Sequence, residues 1–98
     1  MDGKKRKLVF ADWKQEDDFR RLASSTHPED RKTFLVLQGI RRQLLEKYRS
    51  GSQIPKNEIP DVYRRLFQVS NLWSLNLPPY GQILYSLVED EIRIVDLV

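Results

Sequence analysis

The 98-residue chain contains no cysteine and a single histidine, His27. The lack of cysteine excludes disulfides, thiolate catalysis and zinc sites built on cysteine, and one imidazole cannot supply a site that needs two histidines. We therefore expect no bound metal and no cofactor. Long apolar runs are also missing, because no stretch approaches the roughly 20 residues that span a membrane, and the N-terminus lacks the apolar core of a secretory signal. The sequence predicts a cytoplasmic protein that does not bind membranes.

Hydrophobic residues make up 40% of the chain and charged residues 32%. This balance and length predict one globular domain over residues 1–98, with a single compact core. Residues 1–7 are predicted to form a basic, unstructured tail. Its run Lys4-Lys5-Arg6-Lys7 resembles a nuclear-import signal, but short basic termini are more often simply solvated.

The net charge of +3 is unevenly distributed along the sequence. Residues 41–65 hold seven cations and three acids. Such a concentration favours phosphate binding, because each neutralised phosphate releases counterions. A solvated helix face is the alternative interpretation. The candidate RNA-binding cations are Arg41, Arg42, Lys47, Arg49, Lys56, Arg64 and Arg65.

The N-terminal half carries strand and helix signals in succession. Residues 8–10 are apolar and predict a short strand. A helix is predicted from Trp13 to about Ser24, with Asp12 as its N-cap.

A second, longer helix is predicted to follow at once. Thr26 and Glu29 have the spacing of a capping box, and Pro28 suits a first helical turn. Apolar residues then keep a 3.6-residue period up to Gly51, which is placed to end the helix in the left-handed conformation.

The C-terminal half is predicted to be mostly β-structure. Two Ile-Pro pairs predict a loop over residues 51–60 with two apolar anchors, Ile54 and Ile59, and residues 61–70 fit either a short helix or a strand. Three β-rich runs follow and predict an antiparallel meander, whose middle strand is apolar on both faces and thus partly covered on both. The predicted fold is α+β: a two-helix hairpin packed on one face of a mainly antiparallel four-stranded sheet, in the order β-α-α-β-β-β.

Several short motifs occur in a characteristic order in this half. They are an Ile-Pro loop at 54–55, Asn-Leu-Trp at 71–73, Leu-Pro at 77–78, Tyr85, and a strand rich in Ile and Val over 92–98. This succession resembles a RelE-like branch of the RelE/ParE toxin superfamily of type II toxin-antitoxin systems. The resemblance implies one of two activities: RelE-like members cut messenger RNA in the ribosomal A site without a metal, and ParE-like members bind and inhibit gyrase. It also implies a small antitoxin as partner.

The resemblance also implies where a catalytic site would lie. Gln82 stands where the family carries a strand arginine, and the catalytic candidates are Gln82, Tyr85 and Arg65. A neutral amide cannot balance charge on a phosphate, and losing one such electrostatic donor costs about 10²–10³ in rate. The family's His- and Tyr-bearing tail is also not found after Val98. We therefore expect a weakened endoribonuclease or none.

Three functions remain open at this point. The first is a RelE-like toxin component that targets translation on the ribosome, either cutting messenger RNA or catalytically weakened. The second is a non-catalytic binding protein on the same scaffold, either an antitoxin-capturing degenerate toxin or a ParE-like inhibitor. The third is a general RNA-binding module. In the RNA-binding cases Tyr80 is predicted to stack on a base, with packing at the Pro-Pro corner as its alternative.

Overall fold

The computed structural model describes residues 6–77 and 81–97, which form three α-helices and five strands. The elements are β1 (Lys7–Phe10), α1 (Trp13–Ser24), α2 (Pro28–Glu46), β2 (Ser52–Ile54), a 3₁₀ turn (Lys56–Glu58), α3 (Asp61–Phe67), β3 (Leu72–Leu77), β4 (Gly81–Val88) and β5 (Glu91–Leu97). The α+β class is confirmed. No helix in the described part of the chain is long and apolar enough to cross a membrane.

The strands form one mixed sheet in the order β1-β5-β4-β3-β2. The meander of β3, β4 and β5 is antiparallel, as predicted, while β1 lies parallel to β5. The prediction of four strands was wrong in detail, because β2 lies within the predicted loop of residues 51–60 and adds a fifth strand at one edge. A strand of three residues is too short to show a period of two, so its sequence carries no strand signal.

Each face of the sheet has its own apolar core. On one face the α1-α2 hairpin covers a cluster of Leu44, Leu77, Ile83, Tyr85, Ile92 and Ile94. On the other face α3 and its flanking loops cover Ile59, Val69, Leu72, Leu84 and Val95. The alternation along β4 therefore buries side chains on both faces, as predicted. The two predicted helices share one face, as expected, and residues 61–67, which were left open between helix and strand, form a third helix, α3, on the opposite face.

The two long helices begin close to their predicted starts. Asp12 caps α1, since its Oδ1 accepts the backbone N–H of Lys14 at 3.0 Å. The capping-box prediction for α2 was wrong. His27 is the N-cap instead, and its Nδ1 accepts the backbone N–H of Glu29 at 3.3 Å, with Pro28 in the first turn.

Gly51 has a different role from the one predicted. The helix α2 ends at Glu46, and Gly51 does not have a positive φ. Its N–H donates to the hydroxyl of Tyr85 at 3.0 Å. A Cβ at this position would lie 2.5 Å from the carbonyl oxygen of Ser74, so only glycine fits this close approach of chain to sheet.

Candidate nucleic-acid interface

The seven predicted RNA-binding cations are all exposed, but they lie on two sides of the sheet. Arg41, Arg42, Lys47 and Arg49 belong to α2 and the residues just after it, and we call them the hairpin cations. Lys56, Arg64 and Arg65 belong to the 3₁₀ turn and α3, and we call them the α3 cations. Because α2 and α3 cover opposite faces, the structure does not join these groups into one continuous groove.

The hairpin cations follow from the helical period of α2. Ile40 and Leu44 face the sheet core, so Arg42 projects away from it, while Arg41 is exposed at the edge of the core-facing side. Within residues 6–77 and 81–97, no acidic side chain forms an ion pair with any hairpin cation. Their charge is therefore available to an anionic ligand.

Arg6 extends the hairpin cations, although it lies far away in the sequence. Its guanidinium carbon lies 3.8 Å from the ring centroid of Tyr48, and that of Arg49 lies 5.5 Å from the same centroid. Both distances suit a cation–π contact. Arg6 also donates from Nη1 to the carbonyl oxygen of Glu89 at 2.7 Å. Arg6 therefore meets Tyr48 just after the end of α2.

Sequence reasoning assigned Arg6 to a tail over residues 1–7. The structure instead begins β1 at Lys7 and holds Arg6 by the contacts just described. No local signal could have shown this, because the position of Arg6 depends on the pairing of β1 with β5. Residues 1–5 lie outside the described part of the chain.

The α3 cations have a less positive environment. Residues 41–49 contain four cations and one acid, whereas residues 56–65 contain three cations and two acids. Arg64 also donates to the carbonyl oxygen of Lys56, which holds its side chain against the 3₁₀ turn. Arg65 is exposed. The hairpin cations are thus the more positive of the two groups.

Gln82 lies in an exposed polar strip on the α3 side of the sheet. Its Oε1 accepts a hydrogen bond from the hydroxyl of Ser74 at 2.9 Å, and Asn76 is its direct neighbour in β3. All three side chains are neutral. The strip can donate and accept hydrogen bonds, but it contributes no charge to stabilise a phosphate.

Tyr85 lies on the opposite face, under the α1-α2 hairpin. It is completely buried, its hydroxyl accepts the N–H of Gly51, and burial raises the pKa of that hydroxyl. Alternation along β4 separates it from Gln82, and Arg65 is on α3. The structure therefore does not bring the three catalytic candidates together.

Two other side chains singled out from the sequence are Tyr80 and His27. Tyr80 lies outside the described residues. His27 is exposed and serves as the N-cap of α2. Within the described ranges, no three His, Asp or Glu side chains are grouped closely enough to hold a metal ion.

Asp96 links the two helical layers around the end of β5, a feature that sequence reasoning missed. Tyr63 on α3 donates its hydroxyl to Asp96 Oδ2 at 2.8 Å. Gln15 on α1 donates from Nε2 to the carbonyl oxygen of Val95 at 2.9 Å and to Asp96 Oδ1 at 3.4 Å. Burial, followed by the hydrogen bond to Asp96 and its charge, raises the pKa of Tyr63 to about 12.

No protein-family model, curated protein or solved structure matches this chain.

Proposed function

We propose that this chain is a RelE-like RNA-binding protein that acts on the translation machinery and has little or no cleavage activity of its own. The observation that carries the proposal is the group of hairpin cations without acidic partners, together with the contacts of Arg6 and Arg49 with the ring of Tyr48. Cations of this kind bind RNA through phosphates, which position the RNA without reading its sequence.

Two further observations support the weak-cleavage part of the proposal. A metal-free cut by a 2′-hydroxyl needs charge stabilisation at the phosphate and a side chain that moves protons. Gln82 is neutral, and the buried Tyr85 hydroxyl is occupied by Gly51 on the other face of the sheet. A small antitoxin remains the partner that the resemblance to the RelE family implies.

RNA binding can be tested by fluorescence anisotropy with a labelled single-stranded RNA over a range of salt concentrations. The double variant Arg42→Ala/Arg49→Ala removes two hairpin cations. We expect the slope of log affinity against log salt to fall by about 1.4, or about 0.7 for each phosphate contact on a single strand.

Two charge-matched double variants serve as controls. Arg20→Ala/Arg21→Ala removes two exposed arginines of α1 that already pair with Glu16 and Asp17. Arg64→Ala/Arg65→Ala removes two α3 cations. We expect both to change the salt slope less than the hairpin variant does. An equal loss in all three would show that only net charge matters, and the one-sided interface would be wrong.

Cleavage can be tested separately with purified protein and programmed ribosomes. We expect at most slight A-site cleavage by the native chain at micromolar protein. We also expect Gln82→Arg to gain little, because Tyr85 lies on the other face. Efficient cleavage by the native chain would contradict the weak-cleavage proposal while leaving the RNA-binding surface intact.

A second candidate, a protein-binding scaffold without RNA binding, is favoured by the outer surface of α3. Val62 is 42% exposed and Leu66 is 68% exposed, one helical turn apart. Co-expression with the product of a short neighbouring reading frame would test it. This second function would be favoured if the native chain binds that product, Leu66→Ser loses the binding, and Arg42→Ala/Arg49→Ala keeps it.

A further inference from the structure

A cavity of about 610 Å³ lies between the α1-α2 hairpin and the sheet. Its apolar lining includes Leu8, Phe10, Leu22, Leu37, Ile40 and Ile83. The cavity is open to solvent at its charged rim, and sites for small organic ligands are clefts or cavities that are mostly apolar and occupy about 300–1,000 Å³. The size and lining of the cavity are therefore those of a ligand site.

The cavity exists because α1 is held at a few points rather than packed along its length. No residue of α1 is buried. The ring of Phe19 lies 5.6 Å from Phe10 and 5.3 Å from Phe34, measured between centroids. At its first turn α1 is held by the hydrogen bond from Gln15 to the carbonyl oxygen of Val95. The space between these anchors is left open.

Five charged side chains also line the cavity: Glu16, Asp18, Arg20, Arg41 and Asp96. Three of them have partners. Glu16 pairs with Arg20 at 2.7 Å, and Asp96 accepts hydrogen bonds from Gln15 and Tyr63.

Asp18 and Arg41 are the remaining two charges. Both are exposed, and neither has an ion pair or side-chain hydrogen bond within residues 6–77 and 81–97, including with each other. The cavity thus presents one unpaired anion and one unpaired cation beside an apolar interior. A singly charged ligand could pair with only one of them.

We propose that this cavity binds an amphipathic zwitterion. Its apolar body lies among the leucine and isoleucine side chains, its carboxylate pairs with Arg41, and its ammonium group pairs with Asp18. Guanidinium and carboxylate groups are well matched for such a contact. The site shares one residue, Arg41, with the hairpin cations. The RNA-binding test removes Arg42 and Arg49 instead, which do not line the cavity, so the two proposals can fail separately.

Binding can be measured by titration calorimetry of the full chain with alkyl betaines, each below its micelle concentration. The affinity should rise by about fourfold for each methylene added to the alkyl chain, until the cavity is filled. Decanoate, decanol and decyltrimethylammonium, with the same chain length as decyl betaine, should all bind more weakly than it does.

Methyl NMR of the native chain locates the ligand without any substitution. We expect decyl betaine to shift the methyl signals of Ile40 and Ile83, which line the cavity, and to leave those of Ile54 and Ile59 on the α3 side unchanged. Shifts confined to the α3 side, or no shifts and no heat at millimolar ligand, would overturn the proposal.

Variants test the cavity and the charges separately. Leu22→Trp fills the cavity and should weaken decyl betaine binding at least tenfold. The matched control is Leu35→Trp, because Leu35 lies on the exposed side of α2 and does not line the cavity. Equal weakening by both variants would contradict the assignment.

Arg41→Ala and Asp18→Asn should each weaken the binding of decyl betaine by about two- to fivefold, the range of an exposed ion pair. Neither should change the affinity for decanol. Decanol that binds as tightly as decyl betaine to the native chain would overturn the zwitterion assignment.

Discussion

The two faces of the sheet are covered in opposite ways. One face lies under helices of 12 and 19 residues and still retains a cavity of about 610 Å³. The other face lies under a seven-residue helix, and a depression there, over β1, is smaller at about 380 Å³. Ile59 and Val69 from the flanking loops complete that smaller core. Longer covering helices therefore do not by themselves close the space over a sheet face.

The two layers also differ in charge. Neither the hairpin cations nor the α3 cations form an ion pair within the described ranges, but Arg64 is held against the backbone by its contact with Lys56, and residues 56–65 contain more acids than residues 41–49. The hairpin side thus carries both the larger of these two spaces and the hairpin cations, which is why both proposals concern it.

The largest expected effects compare buried leucines on the two faces. Leu72→Ala on the α3 side should lower the free energy of unfolding by about 3–5 kcal/mol, and Leu44→Ala on the hairpin side by about 2–3 kcal/mol. Both side chains are fully buried, but Leu44 borders the cavity, so we expect its truncation to remove fewer packing contacts. Urea denaturation measures both. A larger loss for Leu44→Ala would contradict the packing difference.

The next effect concerns a tight point on the hairpin side. Gly51→Ala places a Cβ against the Ser74 carbonyl oxygen and 2.8 Å from the Tyr85 hydroxyl. The strain should lower the free energy of unfolding by about 1–3 kcal/mol. In the control, Gly39→Ala within α2, the new Cβ meets nothing within 4 Å and should stabilise the helix by about 0.5–1 kcal/mol. Thermal unfolding of both variants separates steric strain from helix propensity. If both substitutions changed the free energy of unfolding in the same direction, the close approach at Gly51 would be contradicted.

A smaller effect tests the link between the layers. Tyr63→Phe removes the hydrogen bond to Asp96 and should lower the free energy of unfolding by about 1 kcal/mol at neutral pH. Tyr48→Phe is the matched control, because it keeps the ring that contacts Arg6 and should therefore lower the free energy of unfolding by less. Urea denaturation compares the two variants, and equal losses would mean that the hydrogen bond to Asp96 does not stabilise the fold.

The same tyrosine predicts a pH dependence. The pKa of Tyr63 is raised from 10.0 to about 12 in the folded chain, so folding favours the neutral hydroxyl. Its contribution to stability is complete below the unfolded pKa and declines as the pH rises from about 10 towards 12. Ultraviolet absorbance of tyrosinate should show a late-titrating group that is lost in Tyr63→Phe. An unchanged titration in that variant would rule out this assignment.

The smallest effect is expected on the outer surface of α1. Arg20→Ala breaks an exposed pair with Glu16 and should change the free energy of unfolding by about 0.2–0.5 kcal/mol. Raising the salt concentration should reduce even that difference. A loss above about 1 kcal/mol would mean that this arginine supports the wall of the cavity beyond its ion pair.

Local patterns predicted much of the secondary structure. The start of α1 and its Asp12 cap, Pro28 in the first turn of α2, and the β3-β4-β5 meander are as expected. The predicted end of α2 at Gly51 was wrong, because the helix stops at Glu46. A glycine after a helix can either end the helix in the left-handed conformation or allow another segment to approach closely. At Gly51 the second applies, because the carbonyl oxygen of Ser74 in β3 lies against it.

The candidate site was less predictable. The cations were identified correctly as exposed, but their separation onto two sides, the addition of Arg6 and the burial of Tyr85 were not foreseen. Each of these depends on which elements become neighbours, and spacing within one segment carries no information about that.

The local features could be predicted from the order of amino acids: where helices begin, which strands alternate, and where cations concentrate. These follow from interactions between residues a few positions apart, such as caps and side-chain periodicity. The tertiary structure alone decided that β1 lies beside β5, that α3 covers the face opposite the hairpin, and that a cavity remains under α1. Those outcomes come from contacts between distant segments, whose free energies depend on how the whole sheet is assembled.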